Sequence, residues 1–315
     1  MTVPARLPPP RPHHRAVFVS DVHLGAKHCH AAELATFLDG LRCDRLYLVG
    51  DIVDLWWMAQ RRACWGAPQM RVVEALHALR RAGTTIIYVP GNHDRALRRV
   101  CGLALPAMQV RRRTVHETAD GRRLLVTHGD DYDAITRWHL PMPGACARAG
   151  ASTSPDASPP GVETPAPSTR GGLIGFGRHL QYAAGDWLYD RILTGNQWLN
   201  RARRRLGMRY WSLSEFLKSK SGAAERYIER FVQAGLDDAR RRGLDGIVCG
   251  HIHRAGLVER DGLVYANDGD WVESLTALAE APDGTLRLLS HQGDVLAALP
   301  ARAAADPTYG IPRAA

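Results

Sequence analysis

Ala16-Val17-Phe18-Val19-Ser20-Asp21-Val22-His23 is a short apolar run that gives way to a carboxylate and an imidazole. Runs of this length, rich in β-branched and aromatic residues, read as buried strands, and the residues just past them lie on the loop at the strand's carboxyl end. The same switch recurs along the chain. Leu46-Tyr47-Leu48-Val49 precedes Gly50-Asp51, Thr85-Ile86-Ile87-Tyr88-Val89 precedes Gly91-Asn92-His93-Asp94, Leu124-Leu125-Val126 precedes His128-Gly129-Asp130, and Gly246-Ile247-Val248-Cys249 precedes Gly250-His251-Ile252-His253. In an open sheet, ligands bind in the crevice outside the strand carboxyl ends, so these tips can converge on one spot.

The segments between the runs complete an α/β pattern. Leu34, Phe37, Leu38 and Leu41 recur at helical spacing, as do Val72, Val73, Leu76 and Leu79 in a helix opened near Pro68 and closed by Gly83. Asp120-Gly121 reads as a type I′ hairpin turn, and Asp261-Gly262 and Asp283-Gly284 mark hairpins further on. Helices early and hairpins late imply two packed β-sheets flanked by helices.

The chemistry of the blocks is that of a metal site. Asp21, His23, Asp51, Asn92, His128, His251 and His253 offer oxygen and imidazole donors without thiolate, a set suited to Mn, Fe, Zn, Mg or Co. Two such ions roughly 3.5 to 4 Å apart can clamp the attacking and leaving oxygens of a displacement at phosphorus, and Asp51 is the candidate for a carboxylate shared between them. Asp54 and Asp130 read as hydrogen-bond partners of the ligands. The histidines outside the blocks, His116 among them, read as surface groups or satisfied core groups.

The ordered set D-x-H, G-D-x-x-D, G-N-H-D, H-G-D and G-H-x-H resembles the calcineurin-like metallophosphoesterases over most of Val17 to Asp270. The resemblance implies their four-layer fold and two divalent metal ions. Asp21, His23, Asp51 and His253 would hold one ion; Asp51, Asn92, His128 and His251 would hold the other. Asn92 and His93 would contact the substrate phosphate, with His93 assisting the leaving group and Asp94 orienting its ring.

Composition narrows the setting. The formal charge of +9 and the basic pI near 9.6 favour an anionic partner, although the basic residues follow no nucleic-acid motif and no nucleic acid is expected. Six cysteines without C-x-x-C spacing fit a reduced, cytoplasmic protein, and no run of about 18 apolar residues suggests a membrane span. Residues 1–15 read as a flexible, Pro-rich terminus, 16–142 and 244–295 as the core, 143–172 as a disordered Pro/Ser/Thr-rich loop, 173–243 as a helical lid insertion and 296–315 as a tail.

The insertion carries Trp187, Trp198 and Trp211 beside Arg201, Arg203, Arg204 and Arg205. A helical insertion after H-G-D resembles the UDP-2,3-diacylglucosamine diphosphatases of lipid A synthesis. That likeness implies a lipid-nucleotide substrate, manganese, and a peripheral position at an anionic inner-membrane surface. The best-known members of that family have Arg at the position of His93, whereas G-N-H-D is the commoner form across the superfamily. Other nucleotides, sugar nucleotides or phosphoproteins therefore stay open as substrates, as does a non-catalytic scaffold on the same fold.

Overall fold

The computed structural model describes residues 12–59, 63–103, 108–133, 203 and 222–302. Contacts divide the chain into two compact units, Met1–Arg137 with Ala223–Ala315, and Trp138–Gly222. Apart from Arg203 and Gly222, every described residue belongs to the first unit. The loop expected at 143–172 and most of the expected lid, including Trp187, Trp198, Trp211 and the Arg204 and Arg205 pair, lie outside the described residues.

The apolar runs form strands whose alternating side chains build separate cores. Strands β1 (His14–Val19), β2 (Cys43–Leu48), β3 (Thr85–Tyr88) and β4 (Gln109–Val110) are parallel neighbours. A meander of β10 (Thr276–Glu280), β11 (Leu286–Ser290) and β12 (Val295–Leu299) extends them antiparallel into a sheet of order β12-β11-β10-β1-β2-β3-β4. The second sheet has the order β5-β6-β7-β9-β8, from Thr114–Glu117, Arg123–Val126, Gly246–Cys249, Leu263–Asn267 and Gly256–Arg260.

On β1, Ala16 and Phe18 face a core shared with Leu124, Val126 and Val248 of the second sheet. Val17 and Val19 face the opposite way, towards α1 (Ala31–Asp39) and α3 (Ala67–Arg81). On the far face of the second sheet, Leu125, Ile247 and Cys249 pack on Phe231, Val232 and Leu236 of α4 (Gly222–Arg241), the fourth α-helix after the short α2 (Leu55–Ala59). Period-2 alternation thus makes each strand serve two layers at once, which gives helix, sheet, sheet, helix. No helix among the described residues is long and apolar enough to cross a membrane.

Several local expectations differ. His14 is a buried strand residue and not part of a mobile terminus, because its backbone pairs with Arg42 and its register partner is Cys43. Residues 296–299, expected as a tail, belong to strand β12, which pairs with β11. Helix α4 groups with the core unit, although the insertion was expected to run to residue 243; its Phe231 face covers the second sheet. The Asp120-Gly121 turn has positive φ only at Gly121, so it is not type I′, which needs positive φ at both central residues. Asp261 and Gly262 both have it, and they close the β8–β9 hairpin.

One polar network crosses the space between the sheets. His116 and Glu280 are both buried; Nε2 of His116 lies 2.7 Å from Glu280 Oε2, and Nδ1 lies 3.0 Å from the Tyr47 hydroxyl. The other Glu280 oxygen accepts from Ala119 N at 2.6 Å and lies 3.3 Å from Arg15 Nε. A buried carboxylate is tolerated only while its partners are in place. Replacing His116 with Phe should therefore cost about 3 kcal/mol by urea denaturation, through polar groups left buried without a partner. A loss below about 0.5 kcal/mol would show that the network contributes nothing net.

Candidate metal centre

The parallel strands deliver their polar residues to one edge. Asp21 follows β1, Asp51 follows β2, Asn92 follows β3, His128 follows β6, and His251 and His253 follow β7. Reaching that edge requires the chain to turn sharply. Asp21, His23, Asp51, His251 and His253 all adopt left-handed backbone, with φ between 49° and 71°. They are five of only seven non-glycine residues with positive φ among the described residues, and such strain, roughly 1–3 kcal/mol each, collects at functional sites.

Asp21, His23 and His253 form one group, and Asp51, His128 and His251 another, each with its potential ligand atoms within 4.8 Å of one another. A third group is His23, Asp54 and His93. Asp21, His23 and His253 are thus brought together, as are Asp51, His128 and His251; Asp51 is not part of the first group, and Asn92 stands on the neighbouring tip.

Hydrogen bonds set the tautomers. His128 Nδ1 donates to Val49 O at 2.9 Å, which turns Nε2 towards Asp51 Oδ2, 3.2 Å away. His23 Nδ1 meets Asp54 Oδ2 at 3.1 Å, leaving Nε2 to face the centre. A ligating imidazole needs this kind of partner on its other nitrogen.

Asp21 Oδ1, His23 Nε2, Asn92 Oδ1 and His128 Nε2 are all buried and have no hydrogen-bond partner. A folded protein rarely leaves such atoms unsatisfied, and four lone-pair donors from three separate blocks fit a pair of cations. His253 Nε2 lies 3.3 Å from Asp21 Oδ1, which closes the first group.

Asp51 is the common element. Its Oδ1 accepts from His93 N at 2.8 Å, and its backbone carbonyl accepts from His23 N at 2.8 Å. A Cβ built on Gly91 would stand 2.2 Å from Asp51 Oδ1, so only glycine lets the third tip approach this carboxylate. Burial would raise the Asp51 carboxyl, but His128, His23 and His93 outweigh it and hold it well below the usual carboxylate range. Asp21 is lowered in the same way, against its burial, by His253 and His128.

The partner of His93 differs from expectation. Asp94 was expected to orient that ring. Instead its oxygens accept from Gly91 N at 2.6 Å, Ile52 N at 2.9 Å and the Tyr88 hydroxyl at 2.5 Å, so Asp94 braces the loop backbones. Burial and the nearby Asp51 charge raise its carboxyl. The carboxylate on His93 is Asp54, whose Oδ2 lies 3.0 Å from His93 Nδ1 while also meeting His23. Burial would raise Asp54, but the two rings overcome this and lower it. Asp130 does not touch a ligand ring: both its oxygens accept from Arg98 Nη2 at 2.8 Å, and Arg98 also donates to Pro90 O, tying the Asn92 loop to the His128 loop.

The sequence pattern also marks a sixth tip that was not among the expected blocks. Asn267-Asp268-Gly269-Asp270 follows the apolar Leu263-Val264-Tyr265-Ala266, the same switch that marks the other five. Ser20 Oγ lies 2.6 Å from both Asp21 Oδ2 and Asp268 Oδ1. One hydroxyl proton cannot serve two carboxylates, so one of them brings its own proton. Burial, added to by the Asp21 charge, holds Asp268 well above the usual carboxylate range. Asp270 accepts from the backbone N–H groups of Val272 and Glu273, at 2.9 and 2.5 Å, and so shapes the loop whose Trp271 N–H donates to Asp21 O at 3.0 Å.

Comparison with known proteins agrees with this construction. Residues 14–149 match the family model described as calcineurin-like phosphoesterase. A stretch of 83 residues, 25% of this chain, is 36% identical to UDP-2,3-diacylglucosamine hydrolase from Xanthomonas campestris pv. campestris, and the match spans 32% of that relative. Vacuolar protein sorting 29 of Cryptosporidium parvum aligns over 87% of this chain and 88% of its own, at 11% identity and a TM-score of 0.37. The phosphopantetheinyl hydrolase of Mycobacterium tuberculosis aligns over 82% and 90%, at 14% identity and a TM-score of 0.34. The blocks from Asp21 to Asp130 all fall within the stretch that matches the calcineurin-like phosphoesterase model, while His251 and His253 lie beyond it.

Proposed function

We propose that the protein is a two-metal pyrophosphatase that hydrolyses UDP-2,3-diacylglucosamine to 2,3-diacylglucosamine 1-phosphate and UMP, with manganese as the preferred ion. The observation that carries the two-metal chemistry is the pair of ligand groups, Asp21 with His23 and His253 and Asp51 with His128 and His251, each holding a buried donor atom without a partner. Support for the lipid-nucleotide substrate is narrower: the 36% identity over 83 residues, and the excess of basic residues, which suits an anionic amphiphile at an acidic membrane surface. The relative's activity concerns a protein of which this match covers about a third, so the substrate is a proposal to be tested directly.

Asp21, His23, Asp51 and His253 would hold one cation, and Asp51, Asn92, His128 and His251 the other. Two divalent cations here would polarise phosphorus and water and offset the charge that builds on the leaving oxygen. The protein's own groups do the rest. His93 stands beside the ligand groups, and its Nδ1 is engaged by Asp54, so proton transfer to the leaving oxygen falls to Nε2. Asp54 holds that ring and the His23 ring with a single oxygen, so the acid and one cation are positioned together.

His93 itself favours a second reading, in which the substrate is another nucleotide, sugar nucleotide or phosphoprotein, because the resembled diphosphatases place Arg there. Product analysis decides between the two. With UDP-2,3-diacylglucosamine in mixed micelles, equimolar UMP and diacylglucosamine 1-phosphate should form far faster than a generic phosphodiester is cleaved; preference for the generic ester would sink the lipid-nucleotide assignment.

Metal content tests the shared ligand. Asp51→Asn should lose both ions by elemental analysis, and retention of two ions per chain would remove Asp51 from its bridging position. His93→Ala should keep both ions while turnover falls by about 10² to 10⁴. A rate within a factor of about three of the parent protein would make His93 a bystander.

A further inference from the structure

We infer that Asp133 is a positioning residue for the second metal, holding the His251 ring so that Nδ1 is presented to the cation, and that Tyr227 of α4 locks Asp133 in place. His251 Nε2 lies 3.1 Å from Asp133 Oδ1, and the Tyr227 hydroxyl donates to that same oxygen at 2.5 Å. A carboxylate on one imidazole nitrogen makes that nitrogen the N–H and leaves the other with the lone pair a metal needs. His128 gets the same service from the Val49 carbonyl and His23 from Asp54. For His251 the partner comes from a different element, five residues beyond His128 in the chain.

Asp133 acts through His251 and not as a ligand. Among the described residues it belongs to none of the three groups whose donor atoms lie within 4.8 Å of one another, although His251 does. The ring is confined on its other sides as well. His251 packs edge-on against His128, with centroids 5.1 Å apart, and lies tilted by 30° against Phe231, one helical turn along α4 from Tyr227. A second tie joins the same two segments, since the Tyr132 hydroxyl donates to Asp238 of α4 at 3.1 Å. Asp133 and Tyr227 stand close to where the chain leaves and rejoins the core unit, at 137 and 223, so a metal ligand is steadied by the two segments that flank the other unit.

The inference rests on the two-metal reading, and titration of metal-free protein with Mn²⁺ by calorimetry tests both separately. The unaltered protein should show two sites; fewer than two would overturn that reading and, with it, the role of Asp133. Asp133→Ala should weaken one site by about 10- to 100-fold and leave the other within about threefold. Asp133→Asn keeps an oxygen that can accept from the ring, so it should recover most of the loss, and Tyr227→Phe should weaken the same site by less than Asp133→Ala does. Equal loss in the Asn and Ala variants would make Asp133 a direct ligand and overturn the positioning role, as would unaltered binding at both sites in Asp133→Ala. Should Asp133→Ala not fold by circular dichroism, Tyr227→Phe decides: the role stands if it weakens one site selectively, and falls if it leaves both sites unaltered or weakens both alike.

Discussion

A buried carboxylate, that of Asp51, is the constraint on which the rest of the site depends. A charge removed from water is tolerated only if the protein surrounds it with donors and opposite charge. Here the support comes from other strand tips: the His93 backbone N–H donates to it, the His128 ring stands 3.2 Å away, and Gly91 lets the Asn92 loop approach. Satisfying Asp51 therefore means bringing β1, β2, β3 and β6 into one register, and a change that moves any of these tips exposes the charge. Fold and site are linked by that single electrostatic requirement.

Strain at the tips follows from the same demand. A strand that ended in ordinary extended backbone would carry its next side chain to one face of the sheet, away from the crevice. Left-handed residues at Asp21, His23, Asp51, His251 and His253 bend the chain across the sheet edge. Their cost is offset by backbone hydrogen bonds between tips, such as Asp21 N to Gly50 O at 3.0 Å and His23 N to Asp51 O at 2.8 Å. The cores beneath are dense with Val, Leu and Ile on both faces of each sheet, which gives the strands no freedom to relax that geometry.

The strands, both sheets and the converging blocks were legible because they depend on local pattern: a period of two, and a polar residue where it breaks. The same rule points to Asp268, since the Asn267-Asp268-Gly269-Asp270 tip breaks an apolar run just as the other blocks do. The illegible part depends on contacts far apart in sequence. Asp94 was paired with His93 by the family resemblance, but a residue beside a histidine in a tight turn faces its own loop, and three donors claim its carboxylate. Asp54 lies 39 positions from His93, and only the fold brings them together. Likewise α4 was grouped with the insertion by its place in the chain, although its Phe231 face belongs to the second sheet. Strand β4 has only two residues, and β12, Val295-Leu296-Ala297-Ala298-Leu299, is apolar throughout without the alternation that marks a strand.

The arrangement of partners has a consequence for how the chemistry can be tuned. Three of the four expected ligand rings are held by acceptors of different strength: a neutral carbonyl for His128, a shared carboxylate oxygen for His23 and a carboxylate itself held by a tyrosine for His251. A carboxylate partner makes the imidazole more electron-rich than a carbonyl does, so the two groups of ligands are not equivalent even where their donor atoms match. Because Asp54 divides one oxygen between His23 and His93, any shift of proton density towards one ring weakens its hold on the other. A cation at His23 would draw electron density from that ring and strengthen its N–H donation to Asp54, leaving less of the oxygen for His93, whose ring would become the readier acid. Occupancy of that ligand group and the acidity of His93 would thereby be coupled through one carboxylate.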